Sequence, residues 1–191
     1  MELTYKITFL SDWHCGSGLS GGAEADATVI KDDLNLPYIA GKTIKGLLKE
    51  ALEEMYEVKP YAKDRICIDE LLGYEIKDGK TKKVIETKSG IAFFSNATLS
   101  DIEQKDITPA LSDFLYRNIA STQMEKNGIA KPNSLRVMEV CIPITLEGKI
   151  LDIEPECVQL IENTLKWVRH LGVNRNRGLG RCKFEITSKA N

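Results

Sequence analysis

The chain has 191 residues, 42% of them hydrophobic, and a formal net charge of -2 at pH 7. That length fits one domain spanning residues 1–191, and the apolar share excludes wholesale disorder. No apolar run approaches the roughly 20 residues of a membrane span, and the opening residues alternate instead of forming a signal-peptide core, so neither membrane insertion nor export is expected.

Leu3, Tyr5, Ile7 and Phe9 alternate with Thr4, Lys6 and Thr8, which predicts a half-buried strand. A long loop follows over residues 12–37, with glycines at 16, 18, 21 and 22. A connection of that length inside a compact domain is either functional or disordered. Ile44, Leu47, Leu48, Ala51, Leu52 and Met55 then fall on one face of a helix, with Lys42, Lys45 and Lys49 on another. Those lysines are either a solvated face or an anion contact.

Residues 57–88 are charged and irregular, with turn signals at Lys59-Pro60 and Asp78-Gly79-Lys80, and read as an insertion. Ile91-Ala92-Phe93-Phe94 predicts a buried strand, residues 107–119 a short helix, and residues 120–133 an exposed loop or hairpin. Val140, Ile142, Ile144 and Leu146 alternate again, with Pro143 implying an edge or a bulge. Residues 155–171 predict a second amphipathic helix opened by Pro155, and Cys182, Phe184 and Ile186 a last strand. The order βαββαβ predicts an α+β, ferredoxin-like (RRM-like) domain with insertions.

The five cysteines (Cys15, Cys67, Cys141, Cys157, Cys182) are scattered, odd in number and never spaced as CxxC. A zinc ribbon or disulfide framework is not expected on that spacing, and the thiols read mostly as core residues of a reduced, cytoplasmic protein.

Charge is unevenly placed. Residues 163–184 hold six cations (Lys166, Arg169, Arg175, Arg177, Arg181, Lys183) and no Asp or Glu. Their centre is GVNRNRGLGR at 172–181, where glycines allow close backbone approach and arginines supply forked donors for phosphate oxygens. No GK[ST] follows, and the loop leads into a strand, so neither a Walker loop nor a dinucleotide fingerprint is present. A basic glycine loop on an RRM-like scaffold suggests RNA, gripped by its backbone.

Two segments together resemble the RAMP superfamily of CRISPR-associated proteins: LPYIAGKTIKGLLK at 36–49 and the glycine-rich loop at 172–181. EADATVIKD at 24–32, GIAFFSNA at 90–97 and LRVMEV at 135–140 are similar to segments of type III effector backbone subunits and fall in matching order. Ala40 and Lys42 depart from the pattern, standing where a proline and a serine are usual. The resemblance implies a subunit that binds crRNA, stacks with copies of itself and other CRISPR effector subunits, and pairs the guide with target RNA. Guide contacts are implied at His14, Lys42, Thr43, Lys45, Lys49, Arg136, Arg175, Asn176, Arg177 and Arg181. Residues 120–133 would be the thumb-like loop that wedges between guide and target. Asp26 maps to the catalytic aspartate, which implies metal-dependent cleavage of target RNA with a divalent cation, magnesium first.

Asp12, Asp32 and Asp33 are near Asp26 in sequence, and any of these carboxylates can instead cap a turn. His14, in the same loop, can act as a general acid or base, contact RNA or simply pack beside Trp13. As the sole cleavage base it would indicate the related guide-processing endoribonuclease. His170 reads as a partner of the preceding helix dipole. A subunit that binds crRNA without any catalysis is a further alternative.

Overall fold

Strand β1 (Glu2–Phe9) buries Leu3, Tyr5, Ile7 and Phe9 and leaves the residues between them half-buried, as the alternation predicts. Each fully buried side chain of this size contributes roughly 1.5–3 kcal/mol. The computed structural model describes residues 1–18, 22, 25–58, 62–79, 81, 83–107 and 109–190. Part of the glycine-rich stretch (19–21), Glu24 of the EADATVIKD segment, the Lys59-Pro60 turn and Lys80 therefore lie outside the described residues.

In chain order the elements are β1, α1 (Gly41–Val58), α2 (Ala62–Leu72), β2 (Gly73–Lys77), β3 (Val84–Ser89), β4 (Phe93–Phe94), α3 (Asp101–Asp106), α4 (Pro109–Ser112), β5 (Tyr116–Ser121), β6 (Arg136–Cys141), β7 (Thr145–Leu151), α5 (Val158–Trp167) and β8 (Cys182–Ala190). One sheet runs β4-β7-β1-β8, with every neighbouring pair antiparallel. Ile7 stands opposite Leu146 on one side and Phe184 on the other. The helices α1 and α5 pack against each other and supply Ile44, Leu48, Leu52, Ile161 and Leu165 to the core. The class is mixed α+β with antiparallel sheets.

Several elements differ from the sequence reading. Residues 57–88 are not irregular: they hold α2 and the β2–β3 hairpin. The predicted helix over 107–119 is replaced by short α4, a 3-10 turn and β5, and α3, capped by Ser100 and Glu103 in a reciprocal box, ends just before it. The single strand predicted across 140–146 is two strands in two sheets. β6 pairs with β5, and the chain crosses at Pro143, which has no N–H to offer a ladder, into β7 of the main sheet. The helix predicted over 155–171 is a 3-10 turn at Pro155–Cys157 followed by α5, which stops at Trp167.

The cysteine expectation is also corrected in part. Cys15, Cys141 and Cys182 are free, buried thiols, whereas Cys67 and Cys157 form a disulfide joining α2 to the turn before α5. Their separation of 90 residues hid the pair from spacing arguments.

Residues 120–133 are all exposed and run from the last two residues of β5 into the connection to β6. They close on a Met124–Ala130 bridge with Gly128 at φ 80°. No helix among the described residues is long and apolar enough to cross a membrane.

Candidate nucleic-acid interface

The start of α1 is fixed by a close approach. Gly41 is buried against the Phe94 and Ser95 carbonyls, where a side chain would collide, and its N–H donates to Asn96 Oδ1 at 3.0 Å. Thr43 N–H caps back onto the Ala40 carbonyl at 2.8 Å. Lys42 and Thr43 are thereby held exposed on the first turn, where helix N–H groups favour an anion.

The glycine loop is sewn to the segment after β1. Val173 N–H donates to the His14 carbonyl at 3.0 Å, and Gly180 N–H to the Asp12 carbonyl at 2.7 Å. Gly172, at φ 97°, lies where a side chain would strike His14, and Gly180, at φ 70°, where one would strike Leu171. These two glycines therefore serve the loop's own packing, whereas Gly178 stands in open space. Between them Asn174 adopts the left-handed conformation and Arg175–Arg177 form one 3-10 turn with exposed side chains.

These two constructions meet. Lys42, Thr43, Arg175 and His14 line one cleft of about 410 Å³, with Glu50 at its edge. Arg175 Nη2 lies 3.5 Å from Glu50 Oε1, an exposed pair worth little by itself. Asn176 and Arg177 line a second cleft, which shares Arg175, Gly172, Val173 and Glu50 with the first. Lys45 and Lys49 are half-buried further along α1 and line neither cleft. Arg181 is exposed at the end of the loop, where its N–H donates to Ser11 Oγ at 3.0 Å.

Asp26 and Arg136 form a separate neighbourhood at the edge of the ribbon. Asp26 N–H donates to the Val137 carbonyl at 2.8 Å, and Asp26 Oδ2 accepts from Val137 N–H at 2.7 Å. Val137 follows Arg136, and both Asp26 and Arg136 are exposed. Asn174 of the glycine loop reaches the same strand, its Nδ2 lying 3.8 Å from Met138 Sδ. Among the described residues no three His, Cys, Asp or Glu side chains are grouped to hold a metal ion. Asp26 by itself fits magnesium, which keeps water ligands and takes one or two carboxylates together with substrate phosphates.

The described residues on either side of position 20, His14 and Val29 to Lys31, are held along β6 by a residue the sequence did not single out. Glu139 accepts from Val29 N–H at 2.9 Å and pairs with Lys31 at 2.8 Å, while its backbone carbonyl accepts from His14 Nδ1 at 2.6 Å. His14 is 3% exposed, so its ring is a packed and oriented group. Lys31 Nζ also sits 3.7 Å from the centre of the Tyr116 ring, so this lysine is fully engaged inside the protein. Burial pushes the Tyr116 hydroxyl well above its ordinary range, and it donates to the Asn35 carbonyl at 2.8 Å. Asp32 caps its own turn, accepting from Leu34 and Leu36 N–H groups.

A family model described as the RAMP superfamily matches residues 6–183. The chain belongs to the RAMP superfamily. It is 26% identical over 202 aligned positions to the CRISPR system Cms endoribonuclease Csm3 of Streptococcus thermophilus, covering 94% of this chain and 87% of that protein. Its fold is similar to a chain in the cryo-EM structure of the type III-B Cmr-beta bound to cognate target RNA, with a TM-score of 0.72, 12% identity and 97% of each chain covered. A chain of the apo type III-B Cmr-beta gives a TM-score of 0.69 at 12% identity, covering 99% of this chain and 98% of that one. For a RAMP-superfamily chain, the residues that sequence reasoning missed are the anchors Glu139 and Arg117, the latter paired with Asp12. Both lie in strands of the ribbon, and Arg117 was hidden inside a stretch that read as helix.

Proposed function

We propose that this chain is a guide-binding backbone subunit of a type III CRISPR effector complex, with Asp26 serving cleavage of the paired target RNA. The observation that carries the reading is the shared cleft of Lys42, Thr43 and Arg175. Two segments more than a hundred residues apart deliver cations and a helix N-terminus to one place, which suits a phosphate backbone. The names of the Streptococcus relative and of the Cmr-beta neighbours support the same class of assembly. We read the β4-β7-β1-β8 sheet as the ferredoxin-like arrangement, with residues 62–89 inserted.

Lys42, Thr43 and Arg175 would grip guide phosphates, and Asn176, Arg177 and Arg181 would extend that contact along the loop. Lys45, Lys49 and Arg136 would add positive potential, and His14 would hold the cleft wall in place. The exposed loop over 120–133, with Met124 and Ile129 more than half exposed, supplies an apolar tip suited to parting stacked bases. Further copies of this chain and other effector subunits would continue the path of the guide.

Asp26 would orient the target strand at the ribbon edge. Its Oδ2 is committed to Val137 N–H, so its other oxygen would hold a divalent cation together with RNA phosphate. Such a cation, when bound, neutralises charge developing on the phosphate oxygens. Attack by the ribose 2′-oxygen on the adjacent phosphorus, with loss of the 2′ proton and protonation of the departing 5′-oxygen, leaves a 2′,3′-cyclic phosphate and a 5′-hydroxyl. The experiment that tests the subunit reading is extraction of nucleic acid from the purified chain. Short RNAs of uniform length are expected, and a chain free of RNA that also fails to bind added crRNA would contradict it.

A further inference from the structure

We propose that Trp167 is a base-stacking residue, so that the cleft between it and the glycine loop takes an unstacked RNA base. This rests on the RNA-binding reading above and extends it to Trp167 and Arg169, which that reading does not use. Trp167 is the last residue of α5 and is 51% exposed, which is unusual for the largest side chain at the end of a core helix. It is not loose: its indole Nε1 lies 3.5 Å from Glu54 Oε2 on α1, which holds one edge of the ring. The ring borders an open cleft of about 990 Å³, ample for a nucleotide. Val173 forms another apolar wall and is 47% exposed.

The rim of this cleft decides what kind of partner fits. Arg169, Arg175 and Arg177 border it, and no ion pair among the described residues engages Arg169 or Arg177. Of its two carboxylates, Glu50 faces Arg175 and Glu54 faces the indole N–H. An aromatic surface bordered by two arginines without an ion pair, Arg169 and Arg177, suits a flat ring that carries a phosphate, and stacking of this kind tolerates any base. A purely apolar protein partner would leave those arginines desolvated and unpaired.

The sequence makes the test clean, because the chain has two tryptophans and the other, Trp13, is 0% exposed and stacked on Phe9. The full-length chain is titrated with a short oligouridylate and a short oligoadenylate while tryptophan emission is followed. Saturable quenching is expected with both. Trp167→Ala is expected to weaken binding roughly five- to 150-fold. Trp167→Phe is expected to keep most of the affinity and lose the quenching, since only buried Trp13 remains. Binding by Trp167→Ala at the wild-type level overturns the proposal, and so does unchanged emission at saturating RNA. Loss of self-association in Trp167→Ala with RNA affinity intact overturns it as well and marks a subunit contact. If Lys42→Ala with Arg175→Ala weakens binding while Trp167→Ala does not, stacking falls and the RNA-binding reading stands; if the wild-type chain binds neither RNA, both fall.

Discussion

Asp12 and Arg117 form a salt bridge between the segment after β1 and strand β5, with Arg117 Nε donating to Asp12 Oδ2 at 2.6 Å and Nη2 donating to the same oxygen. Asp12 is 7% exposed, and its backbone carbonyl also accepts from Gly180. One residue thus ties the ribbon and the glycine loop to the main sheet. Arg117→Ala leaves a buried carboxylate without its partner, at a cost of roughly 1–3 kcal/mol. Chemical denaturation should show that loss, and hydrogen exchange should rise first in residues 116–121 and 136–141.

Asp26 offers a separation of charge from shape. Asp26→Asn retains an oxygen that can accept from Val137 N–H, whereas Asp26→Ala retains none. Both variants are expected to bind crRNA as the wild type does and to lose target cleavage in the assembled complex. Gel analysis of a paired target checks this. Cleavage persisting in Asp26→Asn would remove the carboxylate from the reaction, and cleavage of a guide precursor stopped by His14→Ala but not by Asp26→Ala would favour the guide-processing alternative.

Arg177 is exposed and carries no ion pair among the described residues, so its charge is available to phosphate. Arg177→Ala should weaken crRNA binding and reduce the slope of log affinity against log salt by about 0.7 to 1. An unchanged slope would assign this arginine to the protein surface.

The buried thiols predict an alkaline limit. Burial pushes Cys15 and Cys182 up from the ordinary 9.0 to about 12, and it moves Cys141 in the same direction, with Asp12 and Glu139 adding to it. Above pH about 9 the unfolded chain loses thiol protons that the folded chain keeps. These thiols therefore contribute full stability below that point and progressively less as the pH rises toward about 12. Denaturation midpoints measured from neutral pH to about pH 11 should fall, and Cys182→Ala should fall less steeply.

Much of the fold was legible because its driving patterns are local. The period-2 run of β1 and the apolar face over 44–55 each identify an element directly, and the clustering of cations at 166–183 marks the glycine loop. What was not legible depends on long-range pairing. Val140 to Leu146 reads as one strand, and only tertiary structure shows the change of sheet at Pro143. Cys67 and Cys157 look unrelated until α2 packs beside the turn at Pro155–Cys157. The sequence predicts a site built from two separated cationic segments, and the fold brings Lys42, Thr43 and Arg175 to one cleft, but the roles of the glycines were not legible. Gly172 and Gly180 look free for a phosphate in sequence, and the fold uses both against its own backbone.

The most direct measurement is the salt dependence of crRNA binding by Lys42→Ala, Arg175→Ala and the double variant. If both side chains grip one strand, each single change lowers the slope by about 0.7, and the double change lowers it by about 1.4. A double variant with the wild-type slope would mean that the two segments converge without RNA between them.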